Sequence, residues 1–199
     1  MLSVFGAIAS GKNGELYWHE KCGLTVLGLV VFRIIWGFVG SHHARFQHFV
    51  RAPKAVIAYI KSRRAGDRSH QPGHAPTGAY ATLAILGILL AMASLGTMSH
   101  DDILYEGPLA AYVGGFSDTA KSLHHIGEKF VFLIIALHLL ALLVYRFKLK
   151  IKLLPAMVKG GTSKGITPIS RRHQAAGFLL MAVAVGLAHS LSFLGDRMV

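Results

Sequence analysis

Two histidines in the most apolar stretch of the chain, Leu123–Tyr145, have the spacing that points most directly to chemistry. His124 and His138 are 14 residues apart, which is about 1400° of helical rotation and only about 40° short of four turns. Their imidazoles therefore leave a helix on nearly the same face, about 21 Å apart along its axis. Ionisable residues inside a membrane span usually have a function. We interpret the pair as one axial ligand to each of two haems, near opposite sides of a bilayer.

Two alternatives bear on this interpretation. A histidine within a span can simply hydrogen-bond a neighbouring helix. His125 also competes with His124 for the outer position. However, the 13 residues from His125 to His138 correspond to about 1300°, or about 220° round the helix, which directs His125 to the far side. We therefore interpret His125 as a histidine at headgroup level or in the preceding loop.

The composition limits the class of protein. The chain has 199 residues, of which 53% are hydrophobic, and it carries 21 Lys+Arg against 9 Asp+Glu. The basic residues lie between apolar runs, which favours contact with a membrane surface and not with nucleic acid. Cys22 is the single cysteine, so covalent haem attachment through a Cys-x-x-Cys-His motif is excluded. Any haem must be b-type and held without covalent bonds. Residues 1–18 lack the pattern of a cleavable signal peptide.

Hydrophobic segments predict an all-α integral membrane protein, a four-helix transmembrane bundle that forms a single membrane domain over residues 1–199. Four segments are long enough to cross about 30 Å of hydrocarbon. They are Leu16–Val39, Gly78–Met98, Leu123–Tyr145 and Ala175–Leu194. The connections 41–77 and 146–172 are strongly basic, whereas 99–122 is acidic. The positive-inside rule then predicts a protein of the cell inner (plasma) membrane, with both basic loops in the cytoplasm and both termini on the outer, periplasmic side.

The first span offers a partner for the outer histidine. His19 lies at its outer end, level with His124, because the first and third spans run in the same direction. Arg33 follows 14 residues later, on the same face and about 21 Å deeper. Next to an inner haem, Arg33 can pair with a propionate carboxylate. The alternative is that Arg33 snorkels to the inner headgroups.

The fourth span offers a partner for the inner histidine. His173 lies at its inner edge, level with His138, and is the candidate for the fourth ligand. His189 is 16 residues further on, about 160° round the helix, so the two cannot face one haem stack. His189 is left with three alternatives: to serve the outer haem in place of His19, to line the bundle, or to make a polar contact. In the first inner loop, Ala55–Ser62 has the pattern of a short amphipathic helix on the membrane surface.

Several motifs in combination resemble the prokaryotic di-haem cytochrome b family, which includes the cytochrome b subunits of nickel–iron hydrogenase and formate dehydrogenase and related small stand-alone cytochromes. They are Arg33-x-x-Trp36-Gly37, Ala44-Arg45-Phe46, Gly73-His74-x-Pro76-x-Gly78, His19-x-x-x-Gly23 and the pair His124 and His138. The resemblance covers about residues 17–154. It implies four axial histidines, of which His19, His124 and His138 match three.

In that family the fourth ligand comes from a first helix that begins with an arginine and a histidine near the cytoplasmic face. No such N-terminal span is found here, whereas the C-terminal span begins Arg171-Arg172-His173. We therefore hypothesise a circularly permuted bundle in which the usual first helix is replaced by the last one, and His173 takes over the ligand role. A partner subunit that supplies the missing helix is the alternative.

The sequence thus predicts two haem b groups, the outer one held by His19 and His124 and the inner one by His138 and His173. Bis-histidine ligation fills both axial positions, so the irons should carry electrons and not bind oxygen. The resemblance implies exchange with quinone and with a redox partner such as a c-type cytochrome or an oxidoreductase subunit. No catalytic residue is predicted, which favours an electron-transfer subunit over a stand-alone enzyme. The alternatives are a self-contained quinone reductase or superoxide oxidase, and a structural or assembly subunit with one or no haem.

Overall fold

The computed structural model describes residues 1–65, 76–101, 105–148, 150 and 169–195. Four of its helices are long and apolar enough to cross a membrane. They comprise Leu16–Val39, Pro76–Met98, Phe116–Lys148 and Arg171–Leu194. The prediction of an all-α membrane bundle with four spans is therefore confirmed. Gly73 and His74 of the third motif lie outside the described residues.

Nine α-helices are present in the described part of the chain. They are α1 (Leu2–Lys12), α2 (Leu16–Val39), α3 (Phe46–Phe49), α4 (Pro53–Arg64), α5 (Pro76–Met98), α6 (Ala110–Val113), α7 (Phe116–Leu143), α8 (Arg171–Ser190) and α9 (Ser192–Gly195). A 3-10 turn at His42–Ala44 precedes α3, and a π-helical segment, Val144–Lys148, continues α7. Two short antiparallel strands, His100–Asp101 and Tyr105–Glu106, lie between α5 and α6.

The spanning helices are connected by packing in a definite order. Helix α8 packs on α2, α2 packs on α5, and α5 packs on α7. Within the described residues, α7 and α8 have no packing of comparable extent. Helices α2 and α8 approach each other closely, since a Cβ atom added at Gly28 would lie 2.6 Å from the Cα atom of Val185. In the described part of the chain, the packing is therefore tight between α2 and α8 and loose between α7 and α8.

Helix α1 was not predicted from the sequence, which indicates only a short arm before the first span. In the structure α1 turns back on α2 at Asn13–Gly14, where Gly14 has a φ of +74°. Val4 forms a small buried cluster with Val26 and Val30, half-way along α2. Eleven residues are too few to cross a bilayer, so the hydropathy pattern gave no signal for this helix, which packs along α2.

A helix is found where the segment Ala55–Ser62 was predicted to be helical: α4 begins at Pro53, in the first turn where proline is favoured, and its place on a membrane surface stays a prediction. Its Ile57 side chain is exposed, whereas Tyr59 packs towards the bundle and places its hydroxyl 3.1 Å from that of Tyr145. Burial, together with the hydrogen bond to Tyr145, raises the pKa of Tyr59. The hydroxyl of Tyr80 donates to the carbonyl of Arg51 at 3.0 Å. These contacts hold the first basic loop against one end of the bundle.

Candidate functional site

The structure brings together His19 of α2 and His124 of α7, the two histidines expected to be the outer ligands. Their ring centroids are 5.9 Å apart, and their planes are inclined at 86°. Because a metal–imidazole bond is about 2 Å long, two rings that bind one metal ion from opposite sides have centroids about 6 Å apart. The observed separation therefore fits a pair of axial ligands.

The second ring nitrogen of each histidine is held by a backbone carbonyl. Nδ1 of His19 lies 2.8 Å from the oxygen of Ala7, and Nδ1 of His124 lies 3.0 Å from the oxygen of Met92. A carbonyl oxygen only accepts hydrogen bonds, so each Nδ1 must carry the proton, and the lone pair lies on Nε2. Histidines that bind metals almost always donate their other N–H in this way. The fold has thus selected the tautomer that ligation requires.

Glycines provide the space around these rings. A Cβ atom added at Gly11 would lie 2.8 Å from Nδ1 of His19, and one added at Gly96 would lie 3.1 Å from Cε1 of His124. Gly23 is one turn after His19, and a Cβ atom there would meet nothing within 4 Å. The backbone therefore comes close behind each ring and leaves open space beside α2.

Arg33, the candidate partner of an inner propionate, has a buried polar atom without a partner. Among the described residues no hydrogen-bond acceptor reaches its Nη1. The guanidinium lies over Phe46 and Phe49, at 5.1 and 5.9 Å from the ring centroids. A buried donor that stays unsatisfied is costly, and a guanidinium that snorkels to headgroups would not be buried there. The arrangement favours an anionic group, such as a haem propionate, as the partner of Arg33.

His138 and His173, the expected inner ligands, are not in contact with each other. His138 is half-buried on α7 and has no hydrogen bond or ring contact with the described residues. His173 is exposed in the first turn of α8, where Ser170 caps the helix and lies 2.8 Å, Oγ to Nδ1, from the ring. Nε2 of His173 is therefore left for a ligand. The pairing of these two residues stays a prediction.

The remaining histidines have other roles. Nε2 of His189 lies 2.9 Å from the hydroxyl of Thr25, a polar contact that joins α8 to α2. This is the third of the alternatives left open for His189. His125 is exposed, and its ring centroid is 6.5 Å from that of His124. His42 and His48 stack on each other in the connection between α2 and α4, with centroids 3.7 Å apart.

Two histidines alone do not complete a metal site made only of protein. The described residues include no group of three or more His, Cys, Asp or Glu side chains arranged to hold a metal ion. A haem needs no such group, since the porphyrin supplies four nitrogen ligands and the protein only the axial ones. The pair of His19 and His124 therefore suits haem better than a bare ion.

A polar cluster next to the outer pair was missed in the sequence. Oε1 of Glu20 accepts from Oγ of Ser192 at 2.7 Å and from Nζ of Lys21 at 3.1 Å. The hydroxyl of Tyr105 also hydrogen-bonds to Glu20; burial, the charge of Glu20 and this bond raise the pKa of Tyr105. These residues are far apart in the sequence, which therefore offered no signal. The cluster ties the connection between α5 and α6, together with α9, to α2 directly beside His19.

The family model for prokaryotic cytochrome b561 matches residues 1–160 of the chain. The chain belongs to the prokaryotic cytochrome b561 family. No curated protein matches it, and no solved structure does. A member of the prokaryotic cytochrome b561 family is a multi-pass membrane protein that binds haem b, transfers electrons and meets redox partners and lipid. The matched residues include helices α1 to α7 and end before α8, the helix that carries His173.

Proposed function

We propose that the chain is a di-haem cytochrome b that carries electrons across the cell inner membrane, between a quinone pool and an external redox partner. His19 and His124 hold the outer haem, and His138 and His173 hold the inner one. The observation that carries the proposal is the His19–His124 pair, with ring centroids 5.9 Å apart and both Nδ1 atoms held by carbonyls. When bound, haem b supplies reversible one-electron transfer.

For the outer site, the chain contributes ligand orientation and chemical selectivity. The carbonyls of Ala7 and Met92 hold the two rings with Nε2 free, so little rearrangement is needed for ligation. With both imidazoles engaged, a bound haem would have no position left for oxygen or another small ligand and would supply electron transfer alone. The residues present therefore favour electron transfer over chemistry at the metal.

For the inner site, the support comes from Arg33 and from the packing of the helices. The unpartnered Nη1 of Arg33 provides a buried positive group for a propionate. Helix α7 carries His138, and helix α8 carries His173. The packing between these two helices is limited, which is compatible with space for a cofactor between them. Helix α8 packs on α2 and begins with Arg171-Arg172-His173, as expected of the helix that replaces the family's usual first one.

The orientation and the partners are proposed from charge and from the family. The basic connections 41–77 and 146–172 lie in the cytoplasm, according to the positive-inside rule. The acidic connection 99–122 then lies outside, where it would attract a basic partner such as a c-type cytochrome by electrostatic steering. Quinone would exchange electrons with the other haem.

The test is the number of haems per chain. The protein is purified in detergent, and haem b is measured as the pyridine haemochrome for the wild type and for His19→Ala and His173→Ala. We expect two haems in the wild type and one in each variant. Two haems in His173→Ala would assign the fourth ligand to another residue or to a partner subunit. One haem or none in the wild type would favour a structural or assembly subunit.

A further inference from the structure

Helix α1 contacts both of the helices that carry the outer histidines. Its Ala7 carbonyl lies 2.8 Å from Nδ1 of His19 on α2. Its Lys12 forms an ion pair with Glu128 of α7, one turn after His124. Helices α2 and α7 themselves have little direct packing within the described residues. Helix α1 is thus a structural link between the two halves of the histidine pair.

Contacts along the length of α1 fix its position on α2. At its beginning, Val4 is buried with Val26 and Val30, and Ile135 of α7 packs against this cluster. At its end, Gly11 has no side chain, and the His19 ring occupies the space that a Cβ atom would need. Any shift of α1 along α2 would therefore move the ring or break the hydrogen bond to Ala7.

We propose that α1 is the positioning helix of the outer haem and that it sets the reduction potential of that haem through His19. The proposal rests on the function proposed above. A hydrogen bond from Nδ1–H to a carbonyl makes the imidazole a more basic ligand. A more basic ligand stabilises oxidised iron over reduced iron. Helix α1 therefore keeps the outer haem at a lower potential than a His19 ring without the Ala7 contact would give.

Two glycine substitutions within α1 separate this role from general packing. Gly11→Ala places a methyl group 2.8 Å from Nδ1 of His19, which must move away from Ala7. Gly6→Ala is the matched control, because its methyl group meets Sγ of Cys22 at 2.9 Å and not the ring. Both changes replace glycine by alanine inside the same helix, so their intrinsic effects on helix stability are equal.

The measurements are haem per chain, the two midpoint potentials by redox titration, and the electron paramagnetic resonance spectra of the oxidised haems. For Gly11→Ala we expect a rise of the outer potential equivalent to about a tenfold change in the oxidation equilibrium, which is about 59 mV for one electron. The spectrum of the outer haem should change with it. The inner haem should be unchanged, which shows that the bundle is folded.

The proposal is overturned if Gly11→Ala leaves the outer potential unchanged, or if Gly6→Ala shifts it equally. If Gly11→Ala loses the outer haem or both haems, Val4→Ala takes its place, since it loosens the packing of α1 on Val26 and Val30 without changing a charge near the haem. A rise in the outer potential is then expected, and an unchanged potential rejects the role of α1. Two haems in the wild type, with one lost in His19→Ala, would leave the proposed function intact in either case.

Discussion

The ring centroids of His19 and His124 lie 5.9 Å apart with their planes inclined at 86°, and each ring is held by a helix other than its own. The carbonyl that holds His19 comes from Ala7 of α1, and the carbonyl that holds His124 comes from Met92 of α5. The geometry of the pair is therefore a property of four helices. A substitution that moves any of these four helices should therefore change the properties of the haem that we place between the rings.

His19→Ala and His124→Ala should each reduce the haem content from two per chain to one. Each variant removes an axial ligand from the same iron, and one imidazole holds b-type haem far less well than two. The pyridine haemochrome assay measures this loss. His125→Ala is the matched control, since His125 is exposed and adjacent to His124. Loss of a haem in His125→Ala would contradict the assignment of the outer pair.

His138→Ala and His173→Ala should both remove the inner haem and leave the outer one. Reduced-minus-oxidised spectra of each variant should therefore lack the same component. His189→Ala serves as the control on α8, because Nε2 of His189 is engaged with Thr25 in a polar contact. If His138→Ala loses a haem and His173→Ala does not, α8 does not provide the fourth ligand, and the hypothesis of a permuted bundle is wrong.

Arg33→Gln should lower the midpoint potential of the inner haem. A buried positive charge stabilises the reduced form, which carries one more electron, and removal of that charge is expected to cost about 1.4 kcal/mol, or about 59 mV for a one-electron couple. Lys54→Gln is the control, since Lys54 is an exposed cation of α4. If the inner haem has the same midpoint potential in Arg33→Gln and in the wild type, the guanidinium of Arg33 does not contact that haem.

Gly28→Ala should destabilise the bundle by about 1–3 kcal/mol, the usual cost of overpacking. Its Cβ atom would lie 2.6 Å from backbone Cα of Val185, so α2 and α8 must separate. The apparent melting temperature in detergent measures the effect. Gly186→Ala is a matched control on α8, where a Cβ atom meets nothing within 4 Å. Similar melting temperatures for the two variants would argue against the close packing of α2 on α8.

Tyr105 should make the stability of the protein sensitive to alkaline pH. Burial and the neighbouring Glu20 raise the pKa of Tyr105 in the folded state, whereas an unfolded tyrosine titrates at about 10. The stabilisation is therefore complete below about pH 10 and is lost as the pH rises further. Melting temperatures from pH 8 to 11 should fall less steeply for Tyr105→Phe than for the wild type. The exposed Tyr112, changed to Phe, should leave the slope unaltered.

The spans and the outer histidine pair could be predicted because their signals are local. An apolar run of about 20 residues is a membrane span wherever it lies in the chain, and the first span, α2, has the predicted bounds Leu16–Val39. The 14-residue spacing in α7 and the direction of the spans placed His19 and His124 at one level. Helix α7 begins at Phe116, before the predicted Leu123, since its first turns lie beyond the apolar core.

The sequence by itself determined the four spans and predicted the b-type character of any haem and the level of each histidine, because hydropathy, the single Cys22 and helical periodicity are properties of short segments. Only the tertiary structure decided which backbone groups contact the imidazoles of His19 and His124. The Ala7 carbonyl, the Met92 carbonyl and the glycines opposite the imidazoles are backbone features that hydropathy does not report. The tertiary structure also decided that α1 is helical, because eleven residues become a stable helix only when Val4 is buried against α2.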